Sequence, residues 1–455
     1  MKLSRSEKIK LIIATIFLFT VQLLLSWEIA FRTGWDPGAV VYGARYAALK
    51  DSVGLENMSS YFSIYPNNLF LTFVFSLIFK INFLLGGIVS NDYLLLIVFQ
   101  CIISTLSGTI VYLIARYFAN EKWSWIGYIL FVLLVGTSGW LVVPYSDSAG
   151  LIFPVLQLYL YLKFKSSEQR FRFGIFGVIM LLAFVGYKIK PTIMIIYISI
   201  FIIECMNLII SKKKIEIIKL VIMTCLIGII VSGVSWVAIN SMKVPIDEER
   251  GYGITHWLMI GVNDKSTGGW NQEDMDYSDS FNNCDERNKA DFERAIERVN
   301  ELGYKGYIDL LGRKLRKTYG DGTFGWGSDI YEEIYPLRDN IICPFIRDFY
   351  YVTAPYGKSV YVYNRNIRQT LWIVTLLAAI ISFPTSLCVL IWKKSHMDLK
   401  HINGMLVVEL SLIGVMIYQM LFEAHPRYLF IYVPFFIIAA IIDVDLFRVF
   451  KDNGK

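Results

Sequence analysis

The stretch PNNLFLTFVFSLIFKINFLLGGI, residues 66–88, decides how this chain is threaded. It is apolar, but Tyr65 and Pro66-Asn67-Asn68 open it and Lys80 and Asn82 interrupt it. Its uninterrupted apolar part, Leu69 to Phe79, has 11 residues, short of the about 20 that a helix needs to cross a bilayer. Around it lie ten stretches suited to crossing: 8–30, 92–115, 123–143, 149–164, 172–187, 191–210, 217–240, 367–392, 403–422 and 428–448, with 149–164 and 172–187 the shortest. Loop charge separates the threadings, because cytoplasmic loops collect Lys and Arg. If 66–88 lies in or dips into the outer interface, the basic loops at 116–122, 163–172, 211–219 and 393–401 share the cytoplasmic side with both termini, including Arg448 and Lys451. If it crosses, the SKKK (211–214) and WKKSH (392–396) loops fall outside. The charge pattern therefore predicts an all-α polytopic membrane protein with about ten transmembrane helices plus interfacial or re-entrant helices.

Composition supports that class. Of 455 residues, 55% are hydrophobic and 18% charged, against about 25% charged in a soluble domain; mean hydropathy is +0.49. The net charge of +6 reads as an orientation signal, and no basic stripe interleaved with aromatics points to nucleic acid. The basic start MKLSRSEKIK precedes a long apolar run without a small-residue cleavage site, which predicts an uncleaved first helix. The six cysteines form no CxxC pair, so zinc and redox motifs are absent.

The expected layout is a transmembrane module, 1–240, with a first external loop at 31–65; an extracytoplasmic mixed loop domain, 241–365; and C-terminal transmembrane helices, 366–455. The loop domain holds 21 acidic and 16 basic residues, net −5, which leaves the rest of the chain at +11. The pattern NKADFERAIERVNEL at 288–302 predicts a helix there. Cys284 and Cys343 are its only cysteines; an oxidising exterior would allow them to pair, and two free thiols are the alternative.

This threading gathers several polar residues at the outer face. Asp36 lies in FRTGWDPGAVVYGARYAALK (31–50), held between Trp35 and Pro37, with Arg45 nine residues on. Asp147 lies in YSDSAG (145–150), where Asp147 or Ser148 could equally be an N-cap. Lys188 and Lys190 lie in GYKIKPT (186–192). Cations in a short external loop run against the orientation rule and suit an anionic ligand, although snorkelling to ordinary headgroups explains them as well. Pro191 suits a first helical turn. Glu423, His425 and Arg427 lie in EAHPRY (423–428); Arg427 could fork onto a phosphate or simply pair with Glu423. His256 and Asn263 follow the seventh crossing and lead to Trp270. Walker, Rossmann, Ser-His-Asp and metal-ligand patterns are absent.

The order of these motifs is familiar. Trp35-Asp36 in the first external loop, a YPNN interfacial helix, PYSDSAG after the third crossing, Lys190-Pro191-Thr192 between later crossings and PRYLF at the last helix together resemble GT-C glycosyltransferases. Over about residues 10–240 and 400–448 the chain is similar to the protein O-mannosyltransferase group and the lipid A aminoarabinose transferases. It departs from the mannosyltransferases' paired acids in the first loop, since Pro37 follows Asp36. The resemblance implies a GT-C-like fold and a polyprenyl phosphate-linked sugar donor. It further implies an acceptor glycan, lipid or protein at the extracytoplasmic face. Asp36 would be the catalytic carboxylate, with Asp147 a second acid at the reacting centre and Lys190 at the donor phosphate.

The residue chemistry is compatible with inverting transfer. A base must reach the acceptor hydroxyl, and cations must face the developing phosphate charge. Lys188, Arg427 and Arg45 join Lys190 as candidate phosphate ligands. Trp35, Tyr65, His256, Asn263, Trp270, Glu423 and His425 are candidates to contact sugar or acceptor. No cofactor signature is present, and a divalent cation stays open. The expected location is the cell membrane, multi-pass, with both termini cytoplasmic and membrane lipids as neighbours; the Ile-, Lys- and Asn-rich usage points to a bacterial source. Two rivals remain: a flippase or transporter of lipid-linked sugars, and a non-catalytic assembly protein for cell-envelope polysaccharide.

Overall fold

A computed structural model of the chain describes residues 3–326, 341, 363–392 and 399–452. These form helices α1 (Arg5–Ile29), α2 (Asp36–Leu49), α3 (Ser52–Asn57), α4 (Ser59–Ile64), α5 (Leu69–Leu84), α6 (Asp92–Phe118), α7 (Glu121–Phe131), α8 (Ser146–Ala149), α9 (Ile152–Ser166), α10 (Gln169–Ile189), α11 (Met194–Ile210), α12 (Lys214–Asn240), α13 (Ile254–Gly261), α14 (Gln272–Asp279), α15 (Cys284–Tyr319), α16 (Tyr363–Trp392), α17 (Leu399–Leu421) and α18 (Val433–Asp452). No strand occurs among the described residues, so the part of the loop domain in view is helical, not mixed. Starts follow local chemistry. Ser4 and Glu7 close a capping box on α1, and Asn91, Asn120 and Asn283 cap α6, α7 and α15 through their side chains. Such caps each contribute about 1 kcal/mol.

Among the described residues, eight helical stretches are long and apolar enough to cross a membrane: Arg5–Ile29, Pro66–Leu84, Asp92–Phe118, Phe171–Ile189, Pro191–Ile210, Lys214–Asn240, Ile367–Pro384 and Lys400–Leu421. Pro66–Leu84 belongs to this set, against the expectation that its apolar run is too short. Asn82 does not end the helix, because its amide turns onto the backbone of Val89, with bonds of 2.9 and 3.1 Å. Conversely, the expected crossings 123–143 and 149–164 are interrupted: α7 runs into a wide turn at Val132–Gly136, and only α8 and short turns bridge to α9.

Side-chain register fixes direction. Glu7 meets Arg116 at 2.8 Å, Thr15 meets Thr109 at 2.9 Å, Gln22 meets Ser104 at 3.0 Å, and Tyr93 donates to the Thr33 carbonyl at 3.1 Å. Helices α1 and α6 are thus antiparallel, and the whole of 30–91 leaves and returns at one end of the bundle. α2 and α5 form a reversing pair there; Gly43 of α2 lies under Phe62 and beside Thr72 of α5, where an added Cβ would come within 2.7 Å of the Phe62 ring. α7 runs parallel to α1, with Lys10–Glu121 at 3.0 Å and Gln22 donating to the Gly136 carbonyl at 2.8 Å. Thr137, Asp147, Lys190, the 241–326 segment and Arg427 therefore share the end that carries Asp36. Glu7, Arg116, Glu204 and His401 occupy the other end.

The break after α7 leaves carbonyls inside the bundle, where each needs a donor. Arg368 of α16 supplies one to Leu134 at 3.2 Å and others to the carbonyl and hydroxyl of Thr137. A second buried cation docks the 241–326 segment. Lys314 of α15 is 1% exposed and donates to the carbonyls of Gly261, Met420 and Phe422 at 2.6, 2.8 and 2.9 Å. Two of these close the last turn of α17, where the helix dipole favours a cation. Lys314→Met is expected to orphan all three, at about 1–3 kcal/mol each and less than additively. Protease nicking within 254–319 should accelerate in the variant; an unchanged cleavage rate would show that the contacts are dispensable.

Candidate functional site

The site begins with a short backbone detour. After the turn Gly139–Val142 the chain makes the single-turn helix α8, which buries Ser146, Asp147 and Ser148. Ser148 donates to the Trp140 carbonyl at 2.7 Å, so its hydroxyl closes the turn and does not cap α9. Asp147 is 1% exposed. Its Oδ1 takes a short hydrogen bond from Lys190 Nζ, and its Oδ2 lies 3.4 Å from Arg427 Nε. One buried carboxylate thus holds two cations supplied by separate helix entries. Lys190 precedes the Pro191–Ile193 turn that opens α11. Arg427 lies in the Pro426–Tyr432 turn that opens α18, and His425 Nδ1 accepts its backbone N–H at 3.1 Å. Burial pulls the Lys190 ammonium below its ordinary pKa, and Asp147 opposes that pull.

Aromatic rings wall the cations. The Arg427 guanidinium lies 5.0 Å from the Trp35 ring, 5.5 Å from Tyr145, 5.6 Å from Trp140 and 5.8 Å from Tyr428. Lys190 lies 4.8 Å from the Tyr428 ring. Such contacts each stabilise a desolvated cation by about 2 kcal/mol. Tyr428 donates to Glu423 at 2.5 Å, so Glu423 serves the aromatic wall while Arg427 turns to Asp147.

Asp36 opens α2, with Pro37 in the first turn. Its carboxylate is half-buried and accepts from the Tyr145 hydroxyl at 3.2 Å. Tyr145 also reaches Asn68 Oδ1 at 3.2 Å, and Asn68 donates to the Tyr61 hydroxyl at 2.7 Å. Burial and the nearby Asp36 charge raise the phenol pKa values of Tyr61 and Tyr65, so both hydroxyls stay protonated. The YPNN stretch therefore contributes Asn68 to the same polar network as Asp36. Beside it, Trp35 Nε1 and Thr192 Oγ1 are buried without a hydrogen-bond partner among the described residues. Both are donors able to meet oxygens of a bound molecule.

The structure separates the remaining candidates. Arg45 lies about 13 Å along α2 from Asp36, by a rise of about 1.5 Å per residue, and pairs with Asp92 at 3.0 Å. It lines a distinct cavity of about 200 Å³ with Arg32, Tyr42, Asn91 and Tyr93. Lys188 is half-buried in the last turn of α10, whereas Lys190 lies past the helix end in extended backbone. His256 packs inside the 241–326 segment, stacked on Tyr252 at 4.0 Å and bonded to Ser278 at 2.7 Å. Ser278 in turn donates to Asp291 at 2.7 Å. Burial pushes His256 down to about 4 and Asp291 up to about 6, so the packed imidazole is uncharged at neutral pH. Asn263 is bonded to Asp274 at 2.9 Å, and Trp270 is exposed. Cys284 is a free thiol bonded to the Glu248 carbonyl at 3.1 Å, and Cys343 lies outside the described residues. No cluster of three or more His, Cys, Asp or Glu able to hold a metal ion occurs among the described residues.

Sequence reasoning misses Trp140, Tyr145 and Asn68 as site residues. The available signal is position: Tyr145 and Asn68 sit within the PYSDSAG and YPNN motifs, and Trp140 lies one turn before PYSDSAG.

Residues 2–446 match the family model described as "Conserved hypothetical integral membrane protein". The chain belongs to this family. It is accordingly an integral membrane protein, and its long apolar helices make it multi-pass. No curated protein matches it in sequence.

Proposed function

We propose that the protein is an integral membrane glycosyltransferase of GT-C type that moves a sugar from a polyprenyl phosphate-linked donor to an acceptor. The observation that carries this reading is the pairing of a half-buried carboxylate, Asp36, with a cation pair, Lys190 and Arg427, at the same end of the bundle. They are linked through Tyr145, whose hydroxyl meets Asp36 and whose ring faces Arg427. Asp36 accepts the proton of the acceptor hydroxyl as that oxygen bonds to the sugar's anomeric carbon. The bond from that carbon to the donor phosphate breaks, and the phosphate leaves with its electron pair toward Lys190 and Arg427. Asp147 touches neither reactant; it positions the two cations. Trp35 Nε1 and Thr192 Oγ1 supply further donors.

The Lys/Arg-rich loops at 116–122 and 211–214 support a cytoplasmic location for the opposite end by the positive-inside rule, and hence transfer at the extracytoplasmic face. Reconstitution in proteoliposomes with a radiolabelled polyprenyl phosphate sugar tests the reading. Label moving to an acceptor supports transfer. Label that only changes leaflet makes the protein a flippase and overturns it.

A further inference from the structure

A second polar cleft lies outside the ion cluster. Lys265, Ser266 and Thr267 form one wall, and Arg313, Arg316 and Lys317 form the other, around an open volume of about 600 Å³. The three α15 residues follow an i, i+3, i+4 spacing and so share one helix face. The opposing loop is held rigidly. Asn263 Oδ1 accepts the backbone N–H of Lys265 at 3.0 Å and of Ser266 at 3.4 Å. Gly268 N–H reaches the Asn263 carbonyl at 2.8 Å, and the Gly268 carbonyl accepts from Ala424 N–H at 2.7 Å. Thr267 and Gly268 are both left-handed, with φ of 54° and 66°. A Cβ on Gly268 would stand 2.8 Å from the Gly261 carbonyl and from Lys314, so the close fit requires glycine.

Four cations line this cleft and no carboxylate does. The nearby acids are already paired: Asp309 with Arg313 at 2.8 Å, Asp264 with the same guanidinium, and Glu273 with Lys265 at 3.2 Å. Arg316 is exposed and makes no ion pair among the described residues. Lys317 donates to the Ser266 carbonyl at 3.0 Å, and Ser266 Oγ is buried without a hydrogen-bond partner. The cleft thus combines the Arg316 guanidinium fork, ammonium groups and a hydroxyl, the donor set that suits tetrahedral oxyanions. Its volume falls within the range of small-molecule sites, and every side chain that lines it is polar. A lipid would bring acyl chains with nowhere to bury; a water-borne chain of phosphates would not.

We propose that this cleft binds a phosphate-bearing polyanion. Its loop is bonded to Ala424, beside the Glu423–Arg427 stretch, so the bound chain lies next to the Asp36 end of the bundle. Naming that polyanion as the sugar acceptor rests on the transferase reading; the binding itself does not.

The test uses the full-length protein in phosphatidylcholine nanodiscs with inorganic polyphosphate as probe, at low and at raised salt. The paired change Lys265→Ala and Arg316→Ala is expected to weaken binding at low salt at least tenfold. It should also flatten the salt dependence, as loss of phosphate contacts does. Arg316→Glu should weaken binding further. Lys214→Ala combined with Lys219→Ala, an equal charge change on two exposed lysines of α12, should leave affinity unchanged. Unaltered affinity in Arg316→Glu would overturn the proposal. So would loss of polyphosphate binding in phosphatidylglycerol nanodiscs at matched salt, which would assign the cleft to lipid headgroups. Sugar transfer is not part of this readout, so failure of the transferase assay and failure of polyphosphate binding are separate results.

Discussion

Asp147→Asn is expected to be among the most destabilising single changes in the bundle, at about 3–5 kcal/mol. The wild-type carboxylate is buried and bridges Lys190 and Arg427, of which Lys190 is also buried. Asparagine fills the same space but carries no charge, so two cations in a low-dielectric interior lose the carboxylate that faces them both. The cost comes from the charges left behind more than from the bond lost, which gives the prediction a second arm. Adding Lys190→Met to Asp147→Asn removes one stranded charge and should recover part of the loss, as contacting sites couple by about 0.5–3 kcal/mol. Thermal unfolding of purified protein in detergent measures both. If the single variant melts with the wild type, or the double variant melts at the simple sum of the two losses, the buried ion cluster does not carry this energy.

Asp36→Asn should have the opposite profile. Asp36 is half-buried, and its carboxylate accepts from tyrosine hydroxyls, from which an amide oxygen can equally accept. The fold should therefore tolerate the change within about 1 kcal/mol, in line with substitutions that strand no charge. Transfer should fall by about 10²–10⁴-fold, the usual contribution of a positioned general base. The comparison with Asp147 separates the two acids: one variant keeps its melting temperature and loses turnover, and the other loses melting temperature first. Asp36→Asn with full transfer activity would remove Asp36 from the chemistry, whatever the fate of the Asp147 variant.

Much of the bundle was legible in the sequence because two independent signals agree. Apolar run length marked most helices, and loop charge ordered them. Residues 66–88 were harder: Lys80 and Asn82 looked like stops, yet Asn82 satisfies its amide locally on Val89. Helix α7 failed in the other direction, because apolar residues continue through a break whose freed carbonyls are met by Arg368, a residue more than two hundred positions away. In the site, Asp147, Lys190 and Arg427 were readable from their places beside helix entries. Arg45, His256 and Asn263 were not separable from them, since nearness to one end of the bundle says nothing of which side chain already has a partner. Arg45 is taken by Asp92, Asn263 by Asp274, and His256 by Ser278.

The ion cluster also sets an order on biosynthesis. Asp147 and Lys190 enter the bilayer early, with α8 and the approach to α11, while Arg427 is translated only after the 241–326 segment and α17. Until then the cluster has one anion and one cation, and the aromatic wall lacks Tyr428. A nascent chain that stops short of α18 thus presents an open polar gap among its helices, the kind of defect that membrane quality control can detect. The last member to be made seals the site, so that only chains translated past residue 427 can complete it.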